Sequence, residues 1–380
     1  MSLEGEIRVK VVWNGRRVAG VRIESTRPTA ARLLEGRSPE EVMAFVPRVF
    51  SLCGSAQTAA AQQALAGAGA IVETEIRAVS DVILEIVHEY FWRLLIDWPR
   101  IVRHPIDAAS VAEVRRLPTA IGGTAGSARF DYAQRSPAIG AALSTIATRS
   151  VFGMSPAGWL ALHDLDELDA WVVRGATLPA RLLGALLREM PGLGRSDVCL
   201  MPAATREALI TSVLPVMSGN DDFERAPTWN GEPVETGALA RMCSHPLVAA
   251  LVARDGNTVA ARMLARLCEL ALLLVECTAN AYSEQGSAWV DGFRSGDNEG
   301  VGTVQTARGL LVHRVRLEGG RIADYRIVAP TEWNFHPEGA LAHGLHLLDA
   351  DDPSELERRT RLTVQGLDPC VACAIEVGHA

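Results

Sequence analysis

The sequence predicts an α+β protein: a mainly helical central bundle with β-hairpins near both ends, a single domain over residues 1–380. Three observations carry this. Alternating apolar residues flank tight-turn signals near each end. Between them, apolar residues recur at steps of three and four, the helical period. The composition, 48% hydrophobic and 22% charged over 380 residues, allows a large buried core.

The first hairpin spans Ile7 to Ile23. Ile7, Val9 and Val11 alternate with polar residues, Asn14-Gly15 supplies a favoured turn, and Val21 and Ile23 resume the alternation. The second runs from Leu310 to Val328, turning at Glu318-Gly319-Gly320. Ile76, Val79, Ile83, Ile86, Val87, Tyr90 and Leu94 mark one long amphipathic helix. A second helix covers Asn257 to Tyr282, with Asn257 as its expected N-cap. From Arg103 to Pro246 shorter helices are broken by Pro and Gly, and the Gly-rich stretch Ser283 to Gly302 reads as a loop.

A net charge of −8, with no basic run interleaved with aromatics, argues against nucleic acid as a partner. The stretch Leu264 to Cys277 carries Arg266, Glu269 and Glu276 and reads as a buried helix, so no membrane is expected. The first residues lack the pattern of a secretory signal, and cytoplasmic residence is the expectation. Seven cysteines spread over so long a chain are expected to be reduced.

The cysteines differ in what they suggest. Cys268 and Cys277 on the apolar helix, and Cys199 and Cys243, read as small core side chains. Cys370 and Cys373 form a Cys-x-x-Cys, where one metal ion can take both sulfurs or a reactive disulfide can form. No second pair at zinc-like spacing accompanies them. Cys53, in "SLCGSAQT", stands at the start of a helical run rich in small residues, where a helix N-terminus favours thiolate.

Four stretches, taken in order, resemble the large subunit of nickel–iron hydrogenases. They are "LEGEIRV", "RPTAARLLEGRSPEEVMAFVPRVFSLCG", "TARGLLVHRVRLEGGRIADYRIVAPTEWN" and "RLTVQGLDPCVAC". The resemblance implies a hydrogenase large-subunit-like fold, with the middle, about 103–246, matched only loosely. In that family four cysteines hold a nickel–iron centre whose iron carries cyanide and carbon monoxide. Cys53, Cys370 and Cys373 match three of them; the fourth, a bridging ligand, falls on Ala56. Arg308 matches the arginine above the iron's diatomic ligands, and Glu4 a glutamate that helps to hold magnesium. The arginine expected two residues before the first cysteine is Ser51, and a helix histidine falls on Ala60. Glu376 replaces the histidine before the family's processing site, as a possible oxygen ligand for magnesium.

With a bridging thiolate lost, the resemblance implies neither nickel as cargo nor hydrogen cleavage as activity. The pattern resembles the HupK/HoxV type of hydrogenase maturation protein. That implies a scaffold, not itself a hydrogen-cleaving enzyme, which holds or transfers the iron–cyanide–carbonyl unit. Cys373 is then the foremost iron ligand, Cys53 and Cys370 add ligation, and Arg308 binds a cyanide nitrogen. The implied partners are a small maturation chaperone carrying the iron unit and the hydrogenase large-subunit precursor. The alternative is a divergent nickel–iron hydrogenase with a modified centre. A metal-free structural relative and an ordinary zinc site are further readings. His313, His336, His343 and His346 read as core or solvated histidines, and Asp164, Asp166, Glu167 and Asp169 as a solvated helix face.

Overall fold

The computed structural model describes residues 5–26, 30–50, 53–70, 79–120, 132–220, 222–279 and 286–379. They fall into two compact units: Met1–Arg77, Ser196–Arg241 and Gly286–Ala380 form the first, and Ala78–Arg195 with Met242–Gln285 the second.

In the first unit the predicted opening hairpin is present as β1 (Glu6–Trp13) and β2 (Val18–Ser25), antiparallel with Val11 opposite Val21. Its connection is four residues long: Asn14 Oδ1 accepts from the amides of Arg16 and Arg17, and Gly15 takes a φ of +96°. The chain's last strand, β9 (Ala372–His379), lies parallel to β1 and completes a sheet ordered β2-β1-β9. Cys373, Ile375 and Val377 stand beside Ile7, Val9 and Val11, and share their inward face.

The short strands β3 (Cys199–Leu200) and β4 (Val234–Glu235) pair in parallel. A larger sheet of the same unit is antiparallel and ordered β5 (Val290–Gly296), β6 (Glu299–Thr306), β7 (Gly309–Glu318), β8 (Arg321–Val328). Strands β7 and β8 are the expected second hairpin, with Gly319 and Gly320 at φ of +58° and +76° in its turn. Strands β5 and β6 correct the expected Gly-rich loop at Ser283 to Gly302. The glycines are there because helix α2 (Gly54–Gly67) lies directly on the strand. A Cβ at Gly302 would stand 2.0 Å from the Ala60 carbonyl oxygen, and one at Gly300 2.1 Å from that of Ala64. The matching stripe on α2 is also small: Ala56, Ala59, Ala60, Ala61 and Ala64 are all completely or almost completely buried. On the opposite face of this sheet Val301, Leu310, Val312 and Val328 join Trp333 in one apolar cluster. Helix α1 (Pro39–Val49) packs on α2 behind a capping box between Ser38 and Glu41.

The second unit is helical among its described residues. Helix α3 (Val79–Trp92) buries Ile83, Ile86, Val87 and Tyr90, as the period predicts, and runs on into a π-turn at Arg93–Asp97. The long helix Val259–Ala279 is capped by Thr258 and not by Asn257, because the Thr258 hydroxyl accepts from the Ala261 amide. It packs on the helix Tyr132–Ala147, where a Cβ at Gly140 would meet the Thr278 nitrogen at 2.7 Å. The acidic run beginning at Asp164 opens the helix Leu165–Arg174, and Asp164 itself accepts from the Glu167 amide. No single described helix is long and apolar enough to cross a membrane.

Candidate metal centre

All the described candidate ligands lie in the first unit. Cys53 is the N-cap residue of α2, half-buried, and its carbonyl accepts from the Gln57 amide at 2.9 Å. Its place is fixed by the close seat of α2 on β6, which only the small residues of both elements allow. One turn into the helix, the Gln57 side-chain amide donates to the Cys53 sulfur at 3.7 Å. Ala56, where the family has a fourth cysteine, is completely buried.

Cys370 and Cys373 are placed by a sharp turn out of the helix Pro353–Leu367. Asp368 ends that helix in the left-handed region, φ 54°, and Pro369 prevents its continuation. The chain then meets the helix Pro330–Asn334 of the "PTEWN" segment. The Thr331 hydroxyl accepts from the Cys370 amide at 3.2 Å and donates to the Cys370 sulfur at 3.0 Å. Cys373 follows on β9, facing inward beside Ile7. Burial, opposed by Arg361 and reinforced by Glu6, pushes its thiol up to about 12. Cys373 is therefore a neutral thiol near pH 7, and a metal that binds it releases a proton.

Arg308 sits at the tip of the two-residue turn between β6 and β7. Its guanidinium is buried beside the equally buried carboxylate of Asp368, 3.6 Å away. The main chain around it is clamped. Asn334 Nδ2 donates to the Arg308 carbonyl, the Arg308 amide donates to Thr306 Oγ1, and the Thr236 hydroxyl accepts from the Leu310 amide. Gly237, with φ +114°, lies so close that a Cβ there would stand 3.0 Å from the Arg308 oxygen. The Asp-Pro-Cys turn and the arginine are thus held by the same Pro330–Asn334 helix: Thr331 at one side, Asn334 at the other.

Other candidates are placed elsewhere. Glu4 and Ser51 lie outside the described residues. Glu376 is on the opposite face of β9 from Cys373, exposed and paired with Lys10 at 3.2 Å. His336 is buried and accepts from the Glu338 amide, whereas His343 and His346 are exposed on one helix. Cys268 and Cys277 are core side chains as expected, but Cys199 and Cys243 are exposed. Cys199 follows buried Val198, and alternation along the strand turns it outward. No group of three or more His, Cys, Asp or Glu among the described residues forms a ready metal cage. What the donor set offers is soft sulfur with hydrogen-bond donors aimed at Cys53 and Cys370, the outer support typical of thiolate ligands.

The thiol environments predict an order of alkylation. Exposed Cys199 and Cys243 label first with iodoacetamide at pH 8, and Cys268 and Cys373, both held near 12 by burial, label last. Their rates climb about tenfold per pH unit below that value. Peptide mass spectrometry checks this; Cys373 labelling as fast as Cys199 would contradict it.

Comparison with known proteins identifies the family and the fold. The sequence profile of the nickel-dependent hydrogenase family matches residues 217–376, the stretch that holds Arg308 and both closing cysteines. The large-subunit chain of a Ni-Fe-Se hydrogenase from Desulfovibrio vulgaris Hildenborough superposes with a TM-score of 0.57 at 16% identity, over 95% of this chain and 94% of that one. The fold is therefore that of a nickel-dependent hydrogenase large subunit. Hydrogenase expression/formation protein HoxV of Cupriavidus necator is 31% identical over 94% of this chain and 93% of its own length. HupK of Rhizobium leguminosarum is 28% identical over 99% of this chain and 97% of its own. The chain belongs to the HoxV/HupK family of hydrogenase expression/formation proteins.

Proposed function

We propose that this protein is a hydrogenase maturation scaffold that takes an iron carrying cyanide and carbon monoxide as cargo. It holds the unit between a small iron-carrying chaperone and the hydrogenase large-subunit precursor. The observation that carries the reading is a ligand set kept except at one position. Cys53, Cys370, Cys373 and Arg308 remain, while the bridging position is Ala56, completely buried and without a donor atom. A nickel–iron pair needs bridging sulfur; an iron that arrives with its own strong-field ligands needs fewer protein donors.

In this reading Cys373 is the principal iron ligand and gives up its proton as the unit binds. Cys53 and Cys370, whose sulfurs each accept a hydrogen bond, add weaker and more readily exchanged ligation. Arg308, its main chain clamped and its charge balanced by Asp368, donates to a cyanide nitrogen. Glu376, engaged with Lys10, takes no part.

Protein purified without oxygen from cells that assemble hydrogenase is expected to show cyanide and carbonyl stretching bands in the infrared. Cys373→Ser is expected to lose them while keeping the fold by circular dichroism. Absence of the bands and of iron from the unaltered protein would sink the proposal.

A further inference from the structure

Behind Cys53 a line of buried polar side chains runs into the core of the first unit. The Gln57 amide nitrogen lies 3.7 Å from the Cys53 sulfur, Gln57 Oε1 2.9 Å from His313 Nε2, and His313 Nδ1 2.9 Å from the Tyr325 hydroxyl. His313 and Tyr325 come from adjacent strands, β7 and β8, on the sheet face that carries α2. His313 is opposite Gly302, the glycine over which Ala60 rides, so two small residues let the imidazole reach the helix.

Two polarities would satisfy these contacts. In one, protons point toward Cys53: tyrosine O–H to Nδ1, Nε2–H to the amide oxygen, amide N–H to sulfur. In the other, every donor is reversed and a thiol S–H donates to the glutamine oxygen. The buried end of the line decides between them. Tyr325 is 2% exposed, and among the described residues its hydroxyl has no partner besides His313. If Nδ1–H donated to that oxygen, the tyrosine proton would be buried without an acceptor, a cost of about 1–3 kcal/mol. Burial pushes His313 down to about 3, so the ring is neutral and has one donor and one acceptor nitrogen. A tyrosine that must donate makes Nδ1 the acceptor and Nε2 the donor. The glutamine oxygen is then occupied, and its N–H faces the sulfur.

We infer that Tyr325, His313 and Gln57 form a one-way hydrogen-bond relay that positions Cys53 as an acceptor, the state of a sulfur that ligates metal. They are positioning residues that act through the cysteine. Each bond in such a chain polarises the next, so the far tyrosine contributes to the donor strength felt at sulfur. The relay rests on the reading that Cys53 serves the iron unit, but its polarity can be read without metal.

Long-range nitrogen–proton NMR on metal-free protein reads the His313 tautomer directly. The expected result is Nε2–H with Nδ1 unprotonated, a pinning lost in Tyr325→Phe; Nδ1–H in the unaltered protein overturns the relay. In iron-loaded protein, Gln57→Leu removes the donor, makes the sulfur more electron-releasing, and moves the carbonyl band to lower wavenumber. Tyr325→Phe produces a smaller shift in the same direction and serves if Gln57→Leu does not fold. Bands unmoved in a loaded, folded variant overturn the relay. Unaltered protein that shows the Nε2–H tautomer but no bands leaves the relay standing and removes the iron proposal instead.

Discussion

Gly302→Ala is expected to destabilise the first unit by about 3 kcal/mol, a large effect for a single methyl group. The added carbon would stand 2.0 Å from the Ala60 oxygen and 2.7 Å from the Ala64 nitrogen. Both are helix backbone, so no side chain can swing aside; α2 must lift from the sheet. Lifting it moves Cys53 at its N-terminus and separates Gln57 from His313, so the stability loss and the loss of the site come together. Gly378→Ala is the control. It lies on β9, where an added Cβ meets nothing within 4 Å, and is expected to change stability by no more than about 0.5 kcal/mol. Urea unfolding of the two variants separates these outcomes, and equal midpoints would contradict the packing described.

The second large effect is expected at Arg308. Its guanidinium and the Asp368 carboxylate are both almost fully buried, with side chains 4% and 1% exposed. Removing one partner of a buried ion pair takes away the opposite charge beside the other, so Arg308→Leu is expected to cost about 3–5 kcal/mol. Adding Asp368→Asn removes the remaining buried carboxylate charge, and the double variant is expected to be more stable than Arg308→Leu alone. Their coupling, measured as a double-mutant cycle, is expected to exceed about 1 kcal/mol. Simple additivity would mean that the pair does not interact.

Elements whose own residues carry the signal were legible in the sequence. The Asn14-Gly15 and Gly319-Gly320 turns and the apolar period of α3 depend on near neighbours and appear where expected. The stretch at 283–302 misled because glycine usually marks a loop. Here Gly300 and Gly302 are small because a helix distant in sequence lies on them. Strand β9 was hidden for a similar reason: its pairing partner is β1, at the other end of the chain.

The candidate site was legible only as a resemblance: four collinear motifs single out Cys53, Arg308, Cys370 and Cys373 as its residues. Its support was not. Thr331 and Asn334 were inside a quoted motif, but nothing in their spacing says that one binds the Cys370 sulfur and the other the Arg308 carbonyl. Gln57, His313 and Tyr325 are farther apart still, and only the seating of α2 on β6 and β7 makes them neighbours.

The proposed function requires a hydrogenase-like site kept for iron and given up for nickel. Elemental analysis of protein isolated without oxygen from hydrogenase-producing cells tests it most directly. Iron is expected in clear excess over nickel, with the iron lost in Cys373→Ser. Nickel present in equal amount to iron, together with hydrogen uptake, would contradict it and establish a divergent hydrogenase.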